Sequence, residues 1–436
     1  MSLPAAFRRL VAAGVWVAVV TSAPVLAASP QQTSARPESV APAASRVKFD
    51  PVAATDAYLA KVTPEQRARS DAYFEGGYWL QLWGFLYGVA VALVLLATRL
   101  SVRMRDLAVR VTRIASLQTA LYWLQYLLVT TVLAFPLTVY QGFIREHRYG
   151  LATQTFGPWL GDQAKGLLVG AILGGLALIA IYAVIRRAPR TWWVWGAGIS
   201  VLFLVIVIAV APVFIEPLFN KYTPLKDESV RGPILRLARA NGVPATDVLV
   251  VDASKQTTRV SANVAGFLGT ERIALNDNLL NRCSLAEIES VMGHEMGHYV
   301  LNHVYKDIIE FGVLIVIGFA FLRWSFDRAS ARWGSRWGIG GIADVAGLPL
   351  LVLLLSIFFF VTTPVTNTMI RTHEAEADIF GLNTARQPDG EAEVDLKLGE
   401  YRKLKPGPIE EFIFFDHPSG YNRILMAMRW KAENLF

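Results

Sequence analysis

His294-Glu295-Met296-Gly297-His298 places two histidines and a carboxylate at a spacing that can do chemistry. Side chains four apart share one face of a helix, so the two imidazoles can address one metal ion while Glu295 reaches a water on it. The pattern arises by chance in on the order of one chain in a hundred, so it needs a third ligand from elsewhere. Glu374-Ala-Glu376-Ala-Asp378 supplies one. On a helix, Glu374 and Asp378 lie one turn apart; Glu374 can bind the metal and Asp378 can accept the free ring N–H of a liganding histidine. Glu376 points elsewhere. In isolation such a cluster reads as an exposed acidic helix face, and only the histidine motif turns it into a ligand set. Two imidazoles and a carboxylate with an open fourth position are the ligands of a catalytic zinc. The chemistry this supports is hydrolysis of a peptide bond, with Glu295 taking the proton of the attacking water and returning it to the leaving amine. His303, five residues past His298 on the same helix, falls off the ligand face; His373 falls on another side of its helix, and His147 in an interfacial loop. G-x-S-x-G and P-loop sequences are absent.

The motif needs a helix, and the local sequence predicts one from about 285 through 305. Ser284 and Glu287 form a capping box, with Leu285, Ile288, Val291 and Met292 at apolar helical spacing. Upstream, a polar helix is expected near 226–241. Strands are expected at Asp247–Asp252, Thr257–Val264 and Arg272–Leu275, read as a small β-meander.

The rest of the chain is membrane-like. Of 436 residues 53% are hydrophobic and 18% charged, against roughly 25% charged in soluble proteins. Apolar runs near bilayer length predict six spans, at 78–98, 117–140, 166–186, 192–214, 308–325 and 345–366. The fifth begins beside Asp307 and Glu310 and reads partly as the continuation of a helix rising from the extramembrane segment. The net charge of +7 comes with arginines that flank apolar runs, which excludes nucleic acid as a partner. Three alternate loops are basic: Arg99 to Arg113, Arg186 to Arg190 and Arg323 to Arg336. The positive-inside rule puts them in the cytoplasm and the segments 215–307 and 367–436 outside. Residues 1–28 have the pattern of a secretory signal or a short anchor, which demands the same parity. The expected order is therefore signal or anchor (1–28), linker and short helix (29–77), four spans (78–214), metalloprotease segment (215–307), two spans (308–366) and the C-terminal part of the metalloprotease (367–436). The lone Cys283 can form neither an internal disulfide nor a thiolate cage.

At this point the chain resembles the CAAX prenyl protease type 1 family of integral-membrane zinc endopeptidases, as a bacterial-type member. Beyond the metal residues, the resemblance rests on Tyr140-Gln-Gly-Phe143 leading to His147 and Tyr149-Gly-Leu151, and on Pro217-Leu-Phe-Asn-Lys-Tyr-Thr-Pro-Leu225. It extends to Ser261-Ala-Asn263 before Glu271-Arg-Ile, and to His417-Pro418 with Arg423-Ile424. It implies a predominantly α-helical membrane protein, a helical chamber with a zinc metalloprotease domain containing a small β-sheet. His294, His298 and Glu374 would hold one Zn2+ per chain and Glu295 would be the catalytic carboxylate. It also implies that Asn263 lies on the edge strand that holds substrate backbone, and that His417 and Arg423 assist at the active site.

The expected function is hydrolysis of membrane-associated or unfolded polypeptides, in a bacterial inner membrane with the protease domain on the periplasmic side. Two other classes compete. A non-proteolytic quality-control or scaffold protein could retain the zinc, but a structural site is expected to be four-coordinate and closed. A transporter would carry ionisable residues at mid-bilayer, whereas here they gather at or beyond span ends.

Overall fold

The computed structural model describes residues 49–265 and 271–436; the signal-like segment lies outside them. Six helices among the described residues are long and apolar enough to cross a membrane, one at each expected position. Their outer faces expose large apolar side chains such as Trp79, Leu128, Leu168, Leu202 and Val361, as lipid-facing surfaces do.

Helix α1 (Pro51–Leu59) precedes α2 (Pro64–Ala97), α3 (Leu100–Val111) and α4 (Ala115–Val139), which continues through a π turn to Arg148. Then come α5 (Phe156–Arg187) and α6 (Trp192–Val210). α2 begins well before the span expected from hydropathy, inside the stretch read as linker. Thr63 caps it, Gln66 closes a capping box and Pro64 occupies the first turn. Its polar first turns do not register as a membrane span, which is why apolar content alone placed its start too late.

The basic connections meet at one end of the bundle. Arg99 donates to the carbonyls of Ser335 and Arg336, Arg323 donates to the carbonyl of Arg190, and Arg105 pairs with Asp344.

The extramembrane part contains α7 (Glu228–Ala240) and four strands: β1 (Tyr222–Pro224), β2 (Val248–Val251), β3 (Ala262–Ala265) and β4 (Arg272–Asn276). Their order is β1-β2-β4-β3, with β2 and β4 parallel and the two edge strands antiparallel. The sheet is therefore mixed and not a meander. β4 has four buried positions out of its five residues, so it takes a central place, and β3 is left on an edge. β3 is also shorter than expected, because Thr257 bridges to Ala152 while the carbonyls of Thr257 and Arg259 accept from Asn278.

Short helix α8 (Asp277–Arg282) leads to α9 (Leu285–Val300), which opens with the expected Ser284–Glu287 capping box. Ile288, Met292 and Met296 of α9 pack with Ile273 and Leu275 of the sheet in one core. α9 ends earlier than expected, where Asn302 adopts a left-handed conformation with φ 58°, and α10 (His303–Trp337) starts in a new direction as the fifth span. The sixth span is α11 (Leu348–Ala385), followed by α12 (Pro388–Leu398), α13 (Pro408–Phe414) and α14 (Gly420–Leu435).

α9 and α11 touch backbone to backbone. A Cβ on Gly297 would meet Ala377 Cα at 3.1 Å, and one on Gly381 would meet the backbone nitrogen of His294 at 2.8 Å. Only a methyl-free contact allows so close an approach.

Candidate metal centre

The close contact of α9 with α11 brings the histidine motif to the acidic one. His294 Nε2 lies 3.1 Å from His298 Nε2 and 3.3 Å from Glu374 Oε2, and His298 Nε2 lies 3.7 Å from Glu374 Oε1. Ligand atoms of the three residues all fall within 4.8 Å of one another, and all three residues are buried. Two nitrogens each about 2.0–2.1 Å from a tetrahedral zinc would be about 3.3 Å apart, close to these separations. The proton inventory points the same way. His294 Nδ1 is 2.7 Å from Asp378 Oδ1, which places a proton on Nδ1. Burial opposes a charge on this imidazole, but its bonds to Asp378 and Glu374 outweigh burial and push it up to about 10, so positive charge is favoured at Nε2, the place a cation would take. Burial pushes His298 well below the ordinary imidazole range, which favours the neutral form that metals bind.

Glu295 is buried, lines the cleft at the site and has its carboxyl pushed up, chiefly by burial. His417 is buried on the other side of Glu374, its Nε2 3.2 Å from Glu374 Oε2 and its Nδ1 2.8 Å from Asp416 Oδ1. Burial holds its imidazole below the ordinary range, and the nearby Arg402 charge adds to this. Asn263 stands on edge strand β3 opposite Ala274, with its Oδ1 buried and without a partner, while its neighbours Ser261 and Ala262 line the cleft.

Arg423, expected to assist at the active site, has its guanidinium engaged by neighbouring acids. It lines the cleft, yet its Nε donates to Asp378 Oδ2 at 2.8 Å and its Nη2 reaches Asp378 Oδ1 and Glu391, the latter at 3.1 Å. Its Nη1 is 3.0 Å from Asp395. Every guanidinium nitrogen is thus engaged, and what the residue visibly does is hold Asp378 in place behind His294. Burial pushes the Asp395 carboxyl well above the ordinary range, a direction the neighbouring Glu391 and Asp378 charges reinforce. The sequence reading missed Glu391 and Asp395, which have no motif spacing to the metal residues and reach the site only because α12 packs beside α9 and α14.

Two histidines set aside from sequence also have defined places. His303 is fully buried with its Nδ1 2.8 Å from His298 Nδ1, and His373 stacks on it with centroids 4.7 Å apart. Glu376, off the metal as expected, accepts from His303 and Lys306. His373 faces Asp307 through Nδ1 and Glu310 through Nε2. His147, expected in a loop, instead lies in the helical segment Arg145–Arg148 that ends α4; it is exposed, with its Nδ1 2.8 Å from the Phe143 carbonyl four residues back and its ring against that of Phe143.

Comparison with known proteins bears on this geometry. Residues 52–221 match the family model described as the CAAX prenyl protease N-terminal region with five membrane helices, and residues 224–431 match that of peptidase family M48. An uncharacterized metalloprotease, YhfN, of Bacillus subtilis is 30% identical over 358 residues, which is 80% of this chain and 83% of that protein. CAAX prenyl protease 1 of Saccharomyces cerevisiae is 28% identical, covering 70% of each chain. The crystal structure of S. mikatae Ste24p superposes with a TM-score of 0.70 at 22% identity, over 87% of this chain and 94% of that one, so the two share a fold.

Proposed function

The chain belongs to peptidase family M48, and on that premise we propose that it is a zinc-dependent endopeptidase whose metal is held by His294, His298 and Glu374. The enzyme class, a multi-pass membrane metallopeptidase, follows from the family and the six spans. The observation that carries the finer reading is the convergence of two imidazole nitrogens and a carboxylate beside the buried Glu295.

When bound, zinc supplies Lewis acidity to a water and to the scissile carbonyl. Glu295 takes the proton of the attacking water and delivers it to the leaving amine; low polarity around it, which raises its pKa, makes it the stronger base for the first of these transfers. Asp378, braced by Arg423, fixes the ring of His294. His417 faces the cleft beside Glu374 and is placed to steady the charge that develops on the carbonyl oxygen. Asn263 and the outer edge of β3, which pairs with no other strand among the described residues, offer backbone and amide groups to an extended peptide. The substrate class is a membrane-associated or unfolded polypeptide, and the site lies at the end of the bundle away from the arginine-rich loops, hence on the periplasmic side of a bacterial inner membrane.

Glu295→Gln tests the reading in detergent-purified protein. It should keep one zinc per chain and lose cleavage of an unfolded polypeptide by about three orders of magnitude or more. A Gln variant that cleaves at the wild-type rate refutes the role of Glu295. Zinc in both proteins with cleavage in neither would favour the scaffold reading.

A further inference from the structure

The outer nitrogen of His298 faces another histidine, and the protons around it can be counted. His298 presents Nε2 to His294 and Glu374, so its own proton belongs on Nδ1. That Nδ1 lies 2.8 Å from His303 Nδ1. Two N–H groups cannot point at each other, so His303 Nδ1 is bare and its proton sits on Nε2. His303 Nε2 is 3.0 Å from Glu376 Oε2, an acceptor that also takes a proton of Lys306 at 2.6 Å. Each proton thus has one place, and the chain from ligand to carboxylate runs His298, His303, Glu376.

Resting on the zinc-peptidase reading, we propose that His303 is a positioning residue for the metal site: held as its Nε2–H tautomer by Glu376, it accepts the Nδ1–H of His298 and aims His298 Nε2 at the metal.

The backbone is built for this contact. Five residues along an unbroken helix rotate about 500°, which would leave His303 about 140° around from His298. The left-handed Asn302, with φ 58°, ends α9 and brings the next residue back to the buried side. Asn tolerates that conformation better than other residues with a side chain. His303 is then fixed from its flank by the ring of His373, parallel to it within 13°, which is itself tied to Asp307 at 3.0 Å. The two metal histidines are consequently oriented by different groups, His294 by a carboxylate and His298 by a neutral imidazole. Partners of this kind typically change metal affinity 10- to 100-fold.

The test is the zinc dissociation constant of the full-length protein in detergent, measured by chelator competition, with thermal unfolding of the zinc-free form as control. His303→Leu fills the buried space without an acceptor and should weaken zinc binding at least tenfold. His303→Asn places Oδ1 near the position of the ring Nδ1 and should stay within about threefold of wild type. Glu376→Ala, at a half-exposed position, frees the tautomer of His303 and should fall between them. If the Leu protein does not fold, the Asn and Glu376→Ala proteins still decide: an Ala variant with wild-type affinity overturns the proposal. So does a Leu variant that matches wild type, or an Asn variant as weak as Leu, which would show packing and not hydrogen bonding. These outcomes leave the peptidase reading standing, whereas a wild-type protein that binds no zinc overturns both.

Discussion

At the scale of single residues, the proposed centre would combine groups that meet the metal with groups that hold those groups still. Glu374 and Asp378 stand one helical turn apart on α11, and in the proposed reading they divide the two tasks between them. In the same reading Arg423 serves the second task. It is a buried cation among Asp378, Glu391 and Asp395, and removing one member of such a cluster typically costs about 3–5 kcal/mol because the others remain buried and uncompensated. Arg423→Met should therefore lower the unfolding free energy by about that amount and reduce zinc occupancy together with activity. Denaturant unfolding and metal analysis of the variant check this. Full stability and full zinc with a reduced kcat would instead return Arg423 to direct contact with the transition state.

At the scale of elements, the decisive contact is α9 against α11. Gly293 and Gly297 directly precede His294 and His298 and face Gly381 and Ala377, so the spacing between the histidine and acidic motifs depends on the absence of side chains between the helices. Gly381→Ala puts a methyl group 2.8 Å from the backbone nitrogen of His294, and backbone cannot step aside as a side chain can. The helices must separate by several tenths of an ångström. The expected outcome is a loss of stability of about 1–3 kcal/mol and of zinc affinity, while Gly198→Ala on a lipid-facing stretch of α6, where nothing lies within 4 Å, should leave both unchanged. Zinc titration and thermal unfolding of the two variants separate a packing requirement from a general intolerance of larger side chains. Helix α9 itself was legible beforehand, since Ser284, Glu287 and the apolar spacing are local signals. Its end was not, because a left-handed Asn302 leaves no hydropathy signature, and that end decides what His303 does.

At the scale of the whole molecule, the three arginine-rich connections converge at one end of the helical bundle, as their alternation in sequence requires. The orientation proposed from those charges can be read chemically. In a Cys283→Ser background, Arg187→Cys and Lys226→Cys both introduce thiols at exposed positions on opposite sides of the bundle. A membrane-impermeant maleimide applied to intact spheroplasts should label the second and reach the first only after lysis. The reverse pattern would put the metal centre in the cytoplasm and remove secreted and outer-leaflet polypeptides from the possible substrates.

The sequence alone determined whatever depends on local periodicity, local capping or short-range spacing: six spans, the motif helix, the two pairs four residues apart, His294 with His298 and Glu374 with Asp378, and the charge asymmetry of the loops. Tertiary structure decided what lies far apart along the chain. The mixed strand order depends on which strand is buried on both sides, the meeting of the histidine and acidic motifs on a glycine contact between helices some 80 residues apart, as the His294–Asp378 bond shows, and the anchoring of Asp378 on Arg423 of a third helix. Local patterns record how a segment meets water or lipid, and the partners of a buried charge or a backbone contact are chosen only when distant segments are packed together.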